Sequence, residues 1–349
     1  EAAQRSMSGA ADLALALGRR AVLVASGRAQ DNQPGVEAVY TLLLVGPAQL
    51  WIGRRPLGFG AATGGGSVLN AGVPFDGAGI FTRPLHPGSV LRLLGPLRLE
   101  AFGSRLRRTG GVADPWFAAA RVWLQPHPRL SLAGTRAAAL GGQGNTAVGW
   151  SELPAFLLGG AGGQHGETEN QVASLEARWR VPAGALPLVA YGEWAMDDMG
   201  MKLLRNSGLV AGVELAALPG APGVALGLEH AGFPDHCCGF PPWYRHSALP
   251  WIEERVPLGR PLGGAGSEWL LHSRADLRDA RLRLEGKLIR RNRLADNLYA
   301  PTRQGVSTGG EMSVEWMPGG AFWLYGYAAL ERGSGWRQDD TGLGVKVRM

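Results

Sequence analysis

Polar and apolar residues alternate one for one along segment after segment of this chain. From Ala280 to Leu288, Arg281, Arg283, Glu285 and Lys287 fall on one face, and Leu282, Leu284, Gly286 and Leu288 on the other. A period of two means a strand with one polar and one apolar side. The pattern recurs in Ser174–Val181, where Glu176, Arg178 and Arg180 oppose Leu175, Ala177, Trp179 and Val181. It returns in Leu97–Gly103, with Arg98 and Glu100 on the polar side, and in Leu271–Leu277, with His272, Arg274 and Asp276. The closing segment Thr341–Met349 sets Leu343, Val345 and Val347 against Lys346 and Arg348. Nowhere is there an apolar run of the roughly 18 residues that a spanning helix needs.

The connections alternate too. Short turns are expected at Gly18–Arg20, Gly46–Ala48, Gln125–Arg129, Val181–Ala185, Leu218–Gly223, Arg278–Ala280 and Pro318–Gly320. Between them lie the Gly/Pro-rich stretches Pro56–Ala78, Arg107–Pro115, Gly141–Glu169, Asp197–Ser207, Gly232–Ser267, Arg291–Thr308 and Gly333–Asp340. A soluble sandwich would alternate along its strands as well, but short turns on one rim and long loops on the other belong to outer-membrane barrels. The apolar faces mix small residues with Leu and Val, which suits lipid better than an interlocked core. Trp51, Trp116, Trp123, Trp179, Trp269, Trp316 and Trp323 sit near strand ends, where interfacial girdles are found. Counting strands gives about seventeen, plus a short first one within Glu1–Ser8. The expected fold is an all-β, transmembrane antiparallel β-barrel of about 18 strands, one domain over residues 1–349, with both ends on the short-turn side.

Composition narrows the function. The 54 glycines and the low charged fraction of 18% fit a membrane barrel better than an ordinary soluble domain. A net charge of +6 suits an anionic partner, yet no polybasic block of the nucleic-acid kind is present. Cys237 and Cys238 are adjacent, which leaves no disulfide framework and no zinc spacing, and His230, His236 and His246 are not spaced as metal ligands. The two thiols are either structural or bonded to each other. No metal or cofactor is expected. The carboxylate doublets Asp197–Asp198 and Glu253–Glu254 point apart and cannot flank one bond, and no nucleophile-elbow motif occurs. Gly64–Gly66 lacks the strand-to-helix context of a phosphate cradle. An enzyme is not expected. Glu1–Ser8 has neither the charged nor the apolar region of a signal peptide.

Several stretches resemble the Wzi-like capsule-assembly family. "WIGRRPLGFGAATGGGSVLNAGVPFDGAGIF" (Trp51–Phe81) is similar to the family's strand and Gly-rich loop, and "GPLRLEAFGSRL" and "ARVWLQPHPRLSLAGTRAAALGG" to the strand–turn–strand after it. "WSELPAFLLG", "NQVASLEARWRVP", "LVAYGEWAMDD" and "CGFPPWYRHSALPWIEERVPLGRPLGG" follow in the family's order and spacing. The resemblance implies a bacterial outer-membrane barrel that binds surface polysaccharide and helps anchor or assemble a capsule. It implies outer-membrane lipid and capsule-export proteins as further partners, in a monomer. Typical members are longer and carry an N-terminal helical part that is not found in this sequence.

Two groups of residues carry the candidate chemistry. Arg98, Arg121, Glu176, Arg178, Arg180, Glu193, Arg274, Arg281, Arg283, Glu285 and Lys287 share the inward parity. They form either a basic interior that attracts acidic glycans or a filled, cross-braced lumen, and the second is favoured because acids and bases share the face. The loop Gly232–Ser267 brings Trp243, Tyr244, Arg245, His246, Trp251 and Arg260, and Arg290, Arg291 and Arg293 stand at the mouth of the following strand. Aromatics and arginine forks suit stacking on and bonding to sugars, so these nine are the candidate polysaccharide-binding residues. The same loop reads equally as a cap whose aromatics pack on one another. A porin or exporter with an open lumen is the alternative function.

Overall fold

The computed structural model describes residues 2–30, 33–70, 72–146, 169–184, 186–197, 207–235, 243–277, 279, 281–319 and 322–348. The first wall strands are β1 (Ala2–Ala16), β2 (Ala21–Gln30), β3 (Gln33–Val45), β4 (Ala48–Pro56), β5 (Pro74–Thr82) and β6 (Leu97–Arg105). A two-residue hairpin, β7 (Arg108–Thr109) and β8 (Val112–Ala113), rises before β9 (Trp116–His127) and β10 (Leu130–Leu140). Next come β11 (Glu169–Arg180), β12 (Leu188–Asp197), β13 (Ser207–Leu215) and β14 (Val224–Phe233). A second small hairpin, β15 (Ile252–Glu253) and β16 (Val256–Pro257), precedes β17 (Gly266–Leu277) and β18 (Leu282–Arg293). The wall ends with β19 (Gly305–Gly319), β20 (Phe322–Gly333) and β21 (Trp336–Arg348).

Seventeen of these strands form one sheet in which each pairs with its neighbour in sequence. The ring closes because β1 pairs with β2 on one side and with β21 on the other. An odd ring must contain one parallel junction, and it lies here, with Ala2 opposite Trp336 and Ala14 opposite Arg348. The sequence count differs by one because residues 2–16 run as a single strand, not a short strand followed by another. Consequently Ala2 and Arg348 lie at opposite rims, and the expectation of both ends on the short-turn side is not met. A second expected feature also changes. Gly333–Asp340 is no long loop: Ser334 and Gly335 make a tight turn, and Gly333 faces Trp336.

The wall strands of 9 to 15 residues are long enough to span hydrocarbon. Their outward rows expose Leu50, Ile52, Leu175, Leu209, Leu288 and Leu343. Trp116, Trp179, Trp194, Trp269 and Trp316 join that outer face near strand ends. Trp51 instead is buried in the interior, and the one-for-one alternation puts Trp123 and Trp323 on the lumen side. Three of the seven expected girdle residues therefore belong inside. A wall apolar outside and charged inside is a barrel set in lipid.

The buried core is the filling of the barrel, not a layer between sheets. Trp51, Phe75, Phe102 and Phe117 on the inner wall meet Phe59, Leu69, Tyr244, Trp251 and Leu258 from two connecting segments. Ring centroids lie 5.2 Å apart for Phe75–Phe102, 5.1 Å for Phe75–Phe117 and 5.4 Å for Phe117–Trp251. These separations fall in the range that favours aromatic pairs.

Candidate functional site

Two connections fold into the upper lumen, residues 57–70 after β4 and residues 243–265 before β17. The first is glycine-rich because its backbone must lie against other groups. Its N–H groups are taken up by carboxylates on the far wall. Glu193 on β12 accepts from Ser67 N at 3.1 and 3.0 Å. Glu229 on β14 accepts from Thr63 N at 2.8 Å, Gly64 N at 3.1 Å and the Tyr191 hydroxyl at 2.8 Å. A side chain at Gly64 would collide with Arg260 and with Glu229 Oε1. Within the run Gly64–Gly66 it is the N–H of Gly64 that meets one of the protein's own carboxylates, Glu229.

Arg260 locks the second connection to the first. Its Nε donates to Glu268 Oε1 at 2.9 Å, its Nη2 to Glu229 and Glu268 at 2.5 Å each, and its Nη1 to Gly65 O at 3.1 Å. Burial alone would lower the pKa of this fully buried guanidinium, but Glu268 and Glu229 outweigh it and raise the pKa, so the charge is retained. The chain of charges continues along the wall. Arg291 donates to Glu268 at 2.5 Å and to Glu331 at 2.6 Å, and Arg293 to Glu331 at 2.8 Å. Three arginines balance three glutamates. Such a network holds only while every member is present, because removing one strands a buried charge.

The candidate sugar-binding residues divide sharply by position. Trp243, Tyr244, Trp251 and Arg260 have no exposed surface, and Arg291 and Arg293 are buried. Trp251 Nε1 donates to Val68 O at 2.8 Å, Tyr244 N to Asp197 Oδ2 at 2.6 Å, and the Tyr244 hydroxyl bonds Ser67 O. Tyr244 adopts φ 66°, which is rare for a bulky residue, and burial raises its pKa well above the ordinary range. Trp243 packs on Phe233 at 4.8 Å. His246 Nδ1 accepts from Ala248 N and Leu249 N at 3.3 and 3.1 Å, which caps a turn. The packed-cap reading describes this geometry, and an open stacking surface built from these aromatics is corrected by it. Of the six candidates in this loop, Arg245 alone stays well exposed, 3.3 Å from Asp296. Arg290 points to the outside of the barrel beside Trp269. His236, Cys237 and Cys238 lie outside the described residues.

The inward charges are largely cross-braced. Arg121 meets Glu176 at 2.8 Å, Arg178 meets Glu214 at 3.8 Å, and Lys287 meets Glu311 at 2.7 Å. Asp276 holds both Arg274 and Arg283, at 2.6 and 2.8 Å. Arg98 lies over Trp123 at 5.8 Å. Arg180 and Arg281 are exposed at the short-turn rim, and Arg281 precedes its strand. Below the filling, a cavity of about 370 Å³ is lined by Thr63, Glu214, His272, Arg274, Glu285 and Lys287.

The exposed top carries arginines outside the nine candidates. The hairpins β7–β8 and β15–β16 join through Arg107 N to Glu253 Oε1 and Glu254 N to Arg108 O, both 2.9 Å. Burial raises the pKa of Glu253, and the N–H of Arg107 opposes that. Arg107, Arg108 and Arg255 remain exposed on this cap, with Arg107 3.9 Å from Glu254. The turn signal Thr109-Gly110-Gly111 could have revealed the first hairpin. Arg303 lies 5.1 Å from the Tyr299 ring and 5.5 Å from that of Trp336. Among the described residues no cluster of potential metal ligands occurs.

The family model described as "Capsule assembly protein Wzi" matches residues 8–341. Among solved structures, Wzi of Escherichia coli, described as an outer-membrane carbohydrate-binding β-barrel involved in group 1 capsule assembly, is similar with a TM-score of 0.73 and 16% identity. The match covers 95% of this chain and 76% of that one. OccK5 (OpdH) of Pseudomonas aeruginosa superposes with a TM-score of 0.56 at 14% identity, over 92% of this chain and 83% of that one. OccK11 (OpdR) of the same organism gives a TM-score of 0.53 at 15% identity, over 92% and 82%. No curated protein matches the sequence. With a ring of lipid-facing strands, a filled lumen and a family model spanning nearly its whole length, this chain belongs to the Wzi family of capsule assembly proteins.

Proposed function

We propose that this protein is an outer-membrane anchor that holds acidic surface polysaccharide on its extracellular cap and performs no catalysis. The observation that carries the reading is the latched filling of the lumen by residues 57–70 and 243–265, which leaves the exposed cap as the working surface. Arg107, Arg108, Arg245 and Arg255 present guanidinium forks there, suited to bidentate capture of uronate carboxylates. The Wzi of Escherichia coli is described as carbohydrate-binding, which agrees with a glycan as the ligand. Export proteins that hand polymer to the cap, and a monomeric state, complete the proposal.

The porin or exporter alternative requires a continuous path, and the latched filling argues against it. Replacing Arg107, Arg108, Arg245 and Arg255 together by Ala is expected to release most bound polysaccharide into the medium. The barrel should still migrate as a folded, heat-modifiable band. Each exposed charged contact contributes about 1 kcal/mol or less, so four together would weaken binding by roughly two orders of magnitude or somewhat more. Full retention of polysaccharide by cells carrying the fourfold variant would refute the cap assignment.

A further inference from the structure

A cavity of about 300 Å³ lies against the inner wall of β4–β6. Trp51, Arg55, Phe81 and Glu100 line it from the wall, and Leu57 and Phe59 of the filling close its upper side. Phe81 and Glu100 stand directly opposite one another on β5 and β6. The volume is at the lower end of the roughly 300–1,000 Å³ of small-molecule sites, and it admits a sugar ring.

The charges at this cavity are unlike those elsewhere in the lumen. Arg55 lies 4.7 Å from the Phe81 ring, 5.0 Å from that of Tyr40 and 5.9 Å from that of Trp51. It is only half-buried, and its Nη1 is enclosed without an acceptor. Among the described residues Arg55 makes no hydrogen bond and no ion pair, and neither does Glu100. The other deep cations behave differently: Arg121 holds Glu176, Asp276 holds Arg274 and Arg283, and Lys287 holds Glu311. Rings attract a guanidinium through their faces but give its N–H groups no lone pair. A cation and an anion that line one cavity without meeting leave their strongest, charge-assisted bonds to a third partner.

We infer that this cavity binds one uronic-acid residue of an acidic glycan. Its carboxylate meets Arg55, a hydroxyl donates to Glu100, and the apolar side of the ring lies against Phe81 and Leu57. A neutral hexose has nothing equivalent to offer Arg55. The inference rests on the acidic-polysaccharide reading for its polymer and adds an interior place for it, separate from the cap. The filling shuts the upper side, whereas Arg98, nearer the short-turn rim on the same face of β6, is exposed. The sugar therefore enters from that rim.

The test is saturation-transfer NMR on the full chain in detergent, with glucuronate, glucose and phenylalanine as probes. It is repeated on the variant in which Arg107, Arg108, Arg245 and Arg255 are replaced by Ala. Both proteins are expected to transfer saturation to the ring protons of glucuronate, and neither to glucose or phenylalanine at the same concentration. Arg55→Gln should weaken glucuronate binding by about tenfold or more, the worth of a hydrogen bond to a charged group. Arg55→Lys, which keeps the charge but not the fork, should fall between. The folded band of Arg55→Gln should keep its heat resistance, because no paired carboxylate loses a counterion. A band that melts early would mark Arg55 as a packing element and overturn the proposal. So would wild-type binding by Arg55→Gln, loss of the signal in the fourfold variant, or equal uptake of glucose or phenylalanine. Failure of the cap reading shows instead as polysaccharide retained by cells carrying the fourfold variant, and it leaves this signal in place.

Discussion

Arg260→Met is expected to turn a silent protein into a conducting one. In planar bilayers the wild type should show no steady current, because residues 57–70 and 243–265 pack inside the upper lumen. In the variant, Glu229 keeps the neutral donors Thr63 N, Gly64 N and the Tyr191 hydroxyl but loses a guanidinium at 2.5 Å. Glu268 keeps Arg291 on its other oxygen. Breaking one member of a buried ionic set typically costs about 3–5 kcal/mol, because the remaining charge is left without its counterion in low dielectric. The least expensive response is for the glycine-rich connection to leave the lumen, where water can solvate Glu229. Arg260→Lys, which keeps the charge but not the fork, should fall between the two. An Arg260→Met protein as silent and as heat-resistant as wild type would show that the latch holds nothing.

Trp251→Ala is expected to lower the temperature at which the folded band disappears by more than any single substitution on the cap. The indole is fully buried, packs against Phe117 at 5.4 Å with the rings tilted by 54°, and donates to Val68 O at 2.8 Å. Truncating a buried Trp costs about 3–5 kcal/mol through lost transfer energy and the cavity left behind. The carbonyl of Val68 loses its donor as well. The measurement also separates the two readings of the aromatic loop. If Trp251 stacked on sugar, the variant would lose polysaccharide with its thermal stability intact, and that outcome would refute the packed-cap reading. The same reasoning changes the expectation for Trp243 and Tyr244, whose replacement by Ala should disturb the filling before it disturbs any glycan.

The wall was legible because alternation reports directly on which residues share a face. Glu176, Arg178 and Arg180 on β11, and Arg283, Glu285 and Lys287 on β18, have the inward parity read from the sequence. The contents of the barrel were not legible in the same way. Trp251 and Val68 are 183 positions apart and Ser67 and Glu193 are 126 apart, and no local pattern joins them. An aromatic, arginine-bearing loop has one composition whether it faces sugar or packs on a neighbour. Trp51 and Trp123 failed for a related reason: nearness to a strand end sets depth in the membrane, whereas parity sets the side. The two-residue turn at Ser334–Gly335 reads as a loop in the sequence because Gly333 and Gly335 flank Ser334 and a polar run, Arg337–Asp340, follows.

The separation of the latch partners also bears on how the molecule matures. Gly65 and Arg260 are 195 positions apart, and Thr63 and Glu229 are 166 apart, so the segment after β4 cannot find its seat until β12, β14 and the residues before β17 exist. Closure of such long loops is slow relative to pairing of adjacent strands. Adjacent strands therefore pair before the stopper seats, and substitutions at the latch should delay sealing of the lumen without delaying that pairing.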